Sequence, residues 1–132
     1  MPATTRLLVV DDEPVICQAC QRVLAREGFE VESTTDPRQG LDWAAARDYR
    51  AVLLDIKMPG IDGIQFLGRL RAAKPDLPVL IITGYPSVAD AAEAVRLGAA
   101  EYVVKPFSPE ELVRAVQQML DRAEGGRERE NP

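Results

Sequence analysis

Five short strand-like runs, four of them apolar and each followed by a stretch of helical periodicity, leave this chain few architectures to choose from. The runs fall at 6–10, 30–34, 51–55, 78–83 and 101–105. Leu7-Leu8-Val9-Val10, Ala51-Val52-Leu53-Leu54, Val79-Leu80-Ile81-Ile82 and Tyr102-Val103-Val104 lack the polar alternation of a half-exposed strand. They read as strands buried on both faces. Between them, Ile16, Ala19, Cys20, Val23 and Leu24 recur at helical spacing over 14–27, and Gly28 supplies a stop. Pro37 opens a helix over 37–46 that carries Leu41, Trp43, Ala44 and Ala45. Asp62, Ser87 and Ser108 stand where N-caps belong for helices over 63–73, 88–97 and 109–123. Ser108-Pro109-Glu110-Glu111 is a capping-box pattern. Strands alternating with helices in this way predict an α/β fold, a parallel doubly wound sheet with right-handed crossovers.

One domain is expected, since 132 residues match the usual domain size of about 100–150. The hydrophobic fraction of 46% suffices for a core on each face of a sheet. A net charge of -5 argues against direct nucleic-acid binding, which needs a basic face. No apolar run approaches the roughly 20 residues of a membrane span, and the start MPATTR lacks a signal-peptide core. A cytoplasmic protein is predicted. Glu124 to Pro132 is Gly-rich and highly charged, and reads as a disordered tail or the start of a linker. Cys17-x-x-Cys20 has neither a second Cys pair nor any histidine to complete a zinc site. Cys20 is expected in the core and Cys17 at or near the surface.

The chemistry stands at the ends of the strands. Asp11 and Asp12 close the first run, Asp55 the third, Thr83 the fourth and Lys105 the fifth. Parallel strands bring their carboxyl ends to one edge, where open α/β sheets bind ligands. Three carboxylates in one crevice repel unless a cation joins them. Hard, partly hydrated oxygen ligands suit Mg²⁺, and the absence of histidine disfavours softer metals. Lys105 and Thr83 could neutralise and hydrogen-bond a phosphoryl group, the electrostatic strategy of phosphoryl transfer. Asp55, solitary on the presumed central strand, is the candidate nucleophile for an acyl phosphate. The adjacent pair Asp11 and Asp12 better suits holding the metal. Glu13 reads as a first-turn residue complementing the helix dipole.

These segments resemble a known family. Val9-Val10-Asp11-Asp12-Glu13, Leu54-Asp55-Ile56-Lys57-Met58-Pro59-Gly60-Ile61-Asp62-Gly63, Ile82-Thr83-Gly84 and Lys105-Pro106-Phe107 are similar to the response-regulator receiver domain of two-component signalling. The resemblance covers about residues 5–123. It implies a flavodoxin-like sheet of strand order 2-1-3-4-5 with five helices, and Asp55 as phospho-acceptor. Asp12, Asp55 and the Lys57 backbone carbonyl match the family's direct Mg²⁺ ligands, with Asp11 acting through water. Lys105 matches the lysine that pairs with the phosphoryl group, Thr83 the switch hydroxyl and Tyr102 the aromatic that turns inward with it. The Lys105-Pro106 bond is expected to be cis.

On this resemblance the chain accepts a phosphoryl group from a partner histidine kinase or phosphotransfer protein, having no histidine of its own. It then switches the surface of its fourth helix, fifth strand and fifth helix, about residues 87–123, toward a protein partner, a second copy or an attached output. Ala89, Ala91, Ala92, Ala94 and Ala99 make that region small and smooth. Lys57 and Tyr85 occupy the two positions that tune phosphoryl lifetime, and neither is a water-positioning acid or amide, which predicts slow self-dephosphorylation. The receiver would catalyse only its own phosphorylation and dephosphorylation. The alternative is a phosphohydrolase with an aspartyl-phosphate intermediate. Haloacid-dehalogenase-type hydrolases carry an acid two residues after the nucleophile, where this chain has Lys57.

Overall fold

The computed structural model describes residues 5–84 and 86–130. Five strands form one parallel sheet: β1 (Arg6–Val10), β2 (Glu30–Thr34), β3 (Ala51–Asp55), β6 (Val79–Thr83) and β7 (Glu101–Val104). Two-residue strands β4 (Lys57–Met58) and β5 (Ile61–Asp62) form a separate antiparallel ribbon. The sheet order is β2-β1-β3-β6-β7, which is the expected 2-1-3-4-5 once the ribbon is set aside.

Alternate residues of each strand feed two cores. On one face Leu7, Val9, Leu53, Leu80 and Ile82 pack beneath helices α1 (Pro14–Ala25) and α5 (Pro109–Glu130). On the other, Leu8, Val10, Val52, Leu54 and Ile81 pack beneath α2 (Pro37–Ala46), α3 (Gly63–Ala73) and α4 (Val88–Arg96). The continuous apolar runs of β1, β3 and β6 follow from this double cover, and all but the first residue of β1 are buried. β7 departs from the expectation. It pairs only with β6 at the sheet's edge, and Val104 is 41% exposed.

The caps fall where short polar side chains precede a helix. Asp62 Oδ1 accepts from the Ile64 amide at 2.8 Å, Ser87 Oγ from Asp90 at 3.3 Å and Ser108 Oγ from Glu111 at 3.1 Å. Asp36 caps α2 in the same way.

One further expectation is corrected. Cys17 is 4% exposed rather than superficial, because it lies on the face of α1 that covers the end of β1; its thiol donates to the Asp11 carbonyl at 3.3 Å. The backbone of α5 runs as helix through 124–130. Glu and Arg, strong helix formers, outnumber the two glycines there. Asn131 and Pro132 lie outside the described residues, as does Tyr85. Among the described residues, no helix is long and apolar enough to cross a membrane.

Candidate functional site

The sheet order puts β1 beside β3 with their following helices on opposite faces, and this divergence opens a crevice at the carboxyl edge. The register pairs Val10 with Leu54, so the residues that follow, Asp11 and Asp55, stand level. Both are almost fully buried, at 0% and 2% exposure.

The two aspartates are held by one device used twice. Asp11 Oδ1 accepts from the amide of Glu13 at 2.9 Å, and Asp55 Oδ1 accepts from the amide of Lys57 at 2.8 Å. Each short side chain thus bonds the backbone two residues on and stiffens the turn leaving its strand. The second oxygen of each then faces Lys105, whose Nζ lies 2.8 Å from Asp11 Oδ2 and 3.2 Å from Asp55 Oδ2.

Lys105 reaches this point from the end of β7. Its amide donates to the Thr83 carbonyl at 2.8 Å, and its peptide bond to Pro106 is cis, as the resemblance implies. Only 10% of its side chain is exposed. Glu13 Oε1 also contacts Nζ, at 2.7 Å. Glu13 is therefore more than a first-turn charge. It makes no side-chain cap bond to α1 and joins the cluster instead. The available signal was a third consecutive acid directly after a strand.

Asp11, Asp12, Glu13 and Asp55 offer carboxylate oxygens that all lie within 4.8 Å of one another. Four carboxylates thus face one ammonium. Burial pushes the Asp11 and Asp55 carboxyls up, and the Lys105 contacts recover only part of that cost. Burial pulls Lys105 down, but its contacts with the Asp11 and Glu13 carboxylates and the nearby charges outweigh it, so its proton is held more tightly than usual. Asp11 Oδ2 is buried and, despite its ion contact, receives no aligned hydrogen bond. A hard cation, or water bound to one, would satisfy that oxygen and the excess of negative charge together.

The remaining expected residues lie on neighbouring strands. Thr83 is fully buried at the end of β6, and the register sets Ile82 of that strand beside Asp55. Tyr102 packs into the core beneath α3 and α4, its hydroxyl buried without a hydrogen-bond partner among the described residues. Lys57 contributes its amide to Asp55, while its side chain turns away to Asp90, with Nζ 2.8 Å from Oδ2. That pairing joins residues 33 apart on different elements, and no local pattern announces it.

A doubly wound sheet with an acidic cluster and a lysine at its carboxyl edge defines a class of phosphoryl-handling α/β domains. Comparison with known proteins gives the family. The response regulator receiver domain matches residues 7–117, and the chain belongs to that family. It is 40% identical over 120 residues to the C4-dicarboxylate transport transcriptional regulatory protein DctD of Pseudomonas aeruginosa, covering 90% of this chain and 26% of the relative. It is 38% identical over 117 residues to response regulator MprA of Mycolicibacterium vanbaalenii, covering 89% of this chain and 51% of the relative. The chain therefore spans about half or less of the curated relatives it matches. A CheY-like receiver domain from Methanospirillum hungatei superposes with a TM-score of 0.90 at 29% identity, covering 94% of this chain and 99% of the other. The beryllofluoride-activated NtrC4 receiver dimer gives 0.84 at 31%, covering 89% and 98%. The family's function is switching by phosphorylation, which is signalling rather than metabolic catalysis.

Proposed function

We propose that Asp55 is the phospho-acceptor of this receiver. The observation that carries the reading is its placement. It is a buried carboxylate at the end of the central strand, one oxygen fixed by the Lys57 amide, the other by the Lys105 ammonium, with Asp11, Asp12 and Glu13 beside it. An Asp55 oxygen attacks the phosphorus of the donor. The new O–P bond forms as the donor's bond to phosphorus breaks, leaving an acyl phosphate. Lys105 is placed to follow the added charge, and Thr83 to donate its hydroxyl to it. Tyr102, whose buried hydroxyl has no partner among the described residues, would turn into the space that a moving Thr83 leaves.

Asp11, Asp12, Asp55 and the Lys57 carbonyl would hold Mg²⁺. When bound, the ion would offset the excess of carboxylate and the charge on the transferring group. The donor is a histidine kinase or phosphotransfer protein, the setting is cytoplasmic, and residues 87–123 form the surface that reports the change to a protein partner, a second copy or an attached output. The position that a hydrolase would give to an acid holds Lys57, whose ammonium is paired with Asp90.

Acetyl phosphate with Mg²⁺, followed by intact-protein mass spectrometry, tests the reading. The wild type should gain one phosphoryl group and Asp55→Asn none. Uptake by Asp55→Asn would overturn the assignment.

A further inference from the structure

Helix α4 is the least embedded element next to the site. Of its residues only Ala94 is buried, while Val88 and Val95 are 90% and 69% exposed. What fastens it is a cation from another element at each end. At the amino end, Lys57 Nζ sits 2.8 Å from Asp90 Oδ2. At the carboxyl end, the guanidinium of Arg71 on α3 donates to the carbonyls of Leu97 at 2.8 Å and Gly98 at 3.1 Å. The same group also bonds the Lys74, Pro75 and Leu77 carbonyls in the loop entering β6.

The two fastenings differ in what can undo them. Arg71 holds neutral carbonyls at the amino edge of the sheet, opposite the acidic cluster, and a charge change at Asp55 offers it no competing partner there. Lys57 is two residues from Asp55 and already bonds it through its amide. Its side chain is 44% exposed. Asp90 is its ion-pair partner, and the Asp62 carboxylate adds to the support of its charge. Lys105, which follows the added charge, stays engaged by Asp11 and Glu13, and Lys57 is a second cation only two residues from the phosphorylated side chain.

We propose that the Lys57–Asp90 pair is a charge-operated latch on the amino end of α4, with Arg71 as its fixed pivot. This rests on Asp55 being the phospho-acceptor. The acyl phosphate carries about 1.5 to 2 negative charges where the Asp55 carboxylate carried one, against the single charge of Asp90, so the Lys57 ammonium turns toward the site and α4 loosens from its first turn. Opening strands nothing. Asp90 belongs to the first turn of the helix, where its carboxylate stands at the positive end of the helix dipole. An exposed pair shifts such an equilibrium by about two- to fivefold, which suits a latch that must reopen and close.

Hydrogen exchange on the full chain, with Mg²⁺ and beryllofluoride as the phosphoryl mimic, tests this. Fluorine NMR reports bound beryllofluoride in the same sample. The Asp90 and Ala91 amides, which bond Ser87, should exchange about two- to fivefold faster when the mimic is bound. The Leu97 and Gly98 amides should not change. Asp90→Asn should show the faster rate without the mimic and no further gain with it, and Asp90→Glu should restore the wild-type response. Bound mimic with an unaltered first turn, or equal loosening at both ends of α4, would overturn the latch alone. Absence of any bound fluoride resonance would overturn the phospho-acceptor reading and the latch with it.

Discussion

Helices α1 and α4 each start a few residues beyond a strand that ends at the crevice, yet they are built to opposite standards. α1 buries Cys17, Cys20 and Leu24, and the Cys17 thiol reaches the Asp11 carbonyl. The acids at its start are locked to Lys105. α4 buries Ala94 alone and presents two valines to solvent. The chemistry sits on the firm side, where sub-ångström placement matters, and the lightly held helix lies where a small change in charge can be read out. Packing density here divides the labour between receiving a signal and displaying it.

The sharpest way to break the contrast is to remove the cation that closes the firm side. Lys105→Met should cost about 4 kcal/mol in urea unfolding at neutral pH without divalent cations, the scale of stranding buried charge. Added Mg²⁺ should recover part of it. A loss no larger than that of an exposed lysine would mean the cluster is more solvated than its burial indicates.

Next in size is the packing of α1. Leu24 is completely buried, and Leu24→Ala should cost about 3 kcal/mol by the same measurement. Beryllofluoride should still bind the folded fraction, because the deletion lies away from the carboxylates.

The excess of carboxylate gives a smaller effect with a definite sign. Asp11 and Asp55 are raised from the ordinary 3.8 by burial, so the folded protein binds protons more tightly than the unfolded chain. Their stabilising effect is full below about pH 4 and is lost as pH rises through the raised values, so metal-free stability should fall in that window. Lys105, also raised, keeps its contribution until the pH passes 10.5. Asp55→Asn should flatten the acidic slope and stabilise the metal-free protein at pH 7 by about 1 kcal/mol, the scale of one relieved like-charge contact. A slope unchanged in Asp55→Asn would place the strain elsewhere.

How much of this was legible depends on the range of each interaction. Strand and helix periods, the caps at Asp62, Ser87 and Ser108, and the convergence of Asp11, Asp55 and Lys105 all follow from local pattern plus parallel topology. Glu13 stays open in the sequence because its carboxylate could serve α1 or the crevice, and only the arrival of Lys105 decides. Cys17 was placed too near the surface because a helical wheel does not show how far α1 overhangs the end of β1. The Lys57–Asp90 pair and the five carbonyls around Arg71 are meetings of distant segments, for which the chain carries no local signature.

The smallest expected effect tests the lightly held side. Val95 is 69% exposed on α4, so Val95→Ala should change unfolding free energy by no more than about 0.5 kcal/mol. Phosphate uptake at Asp55 should be untouched. If the helix is a display surface, Val95→Ala should weaken whatever association follows phosphorylation, read by analytical ultracentrifugation with beryllofluoride, while leaving the unmodified protein as it was. A stability loss like that of Leu24→Ala would show that α4 is packed as firmly as α1. The asymmetry would then lie in charge alone, with Lys57 and Arg71 fastening a helix that the core already holds.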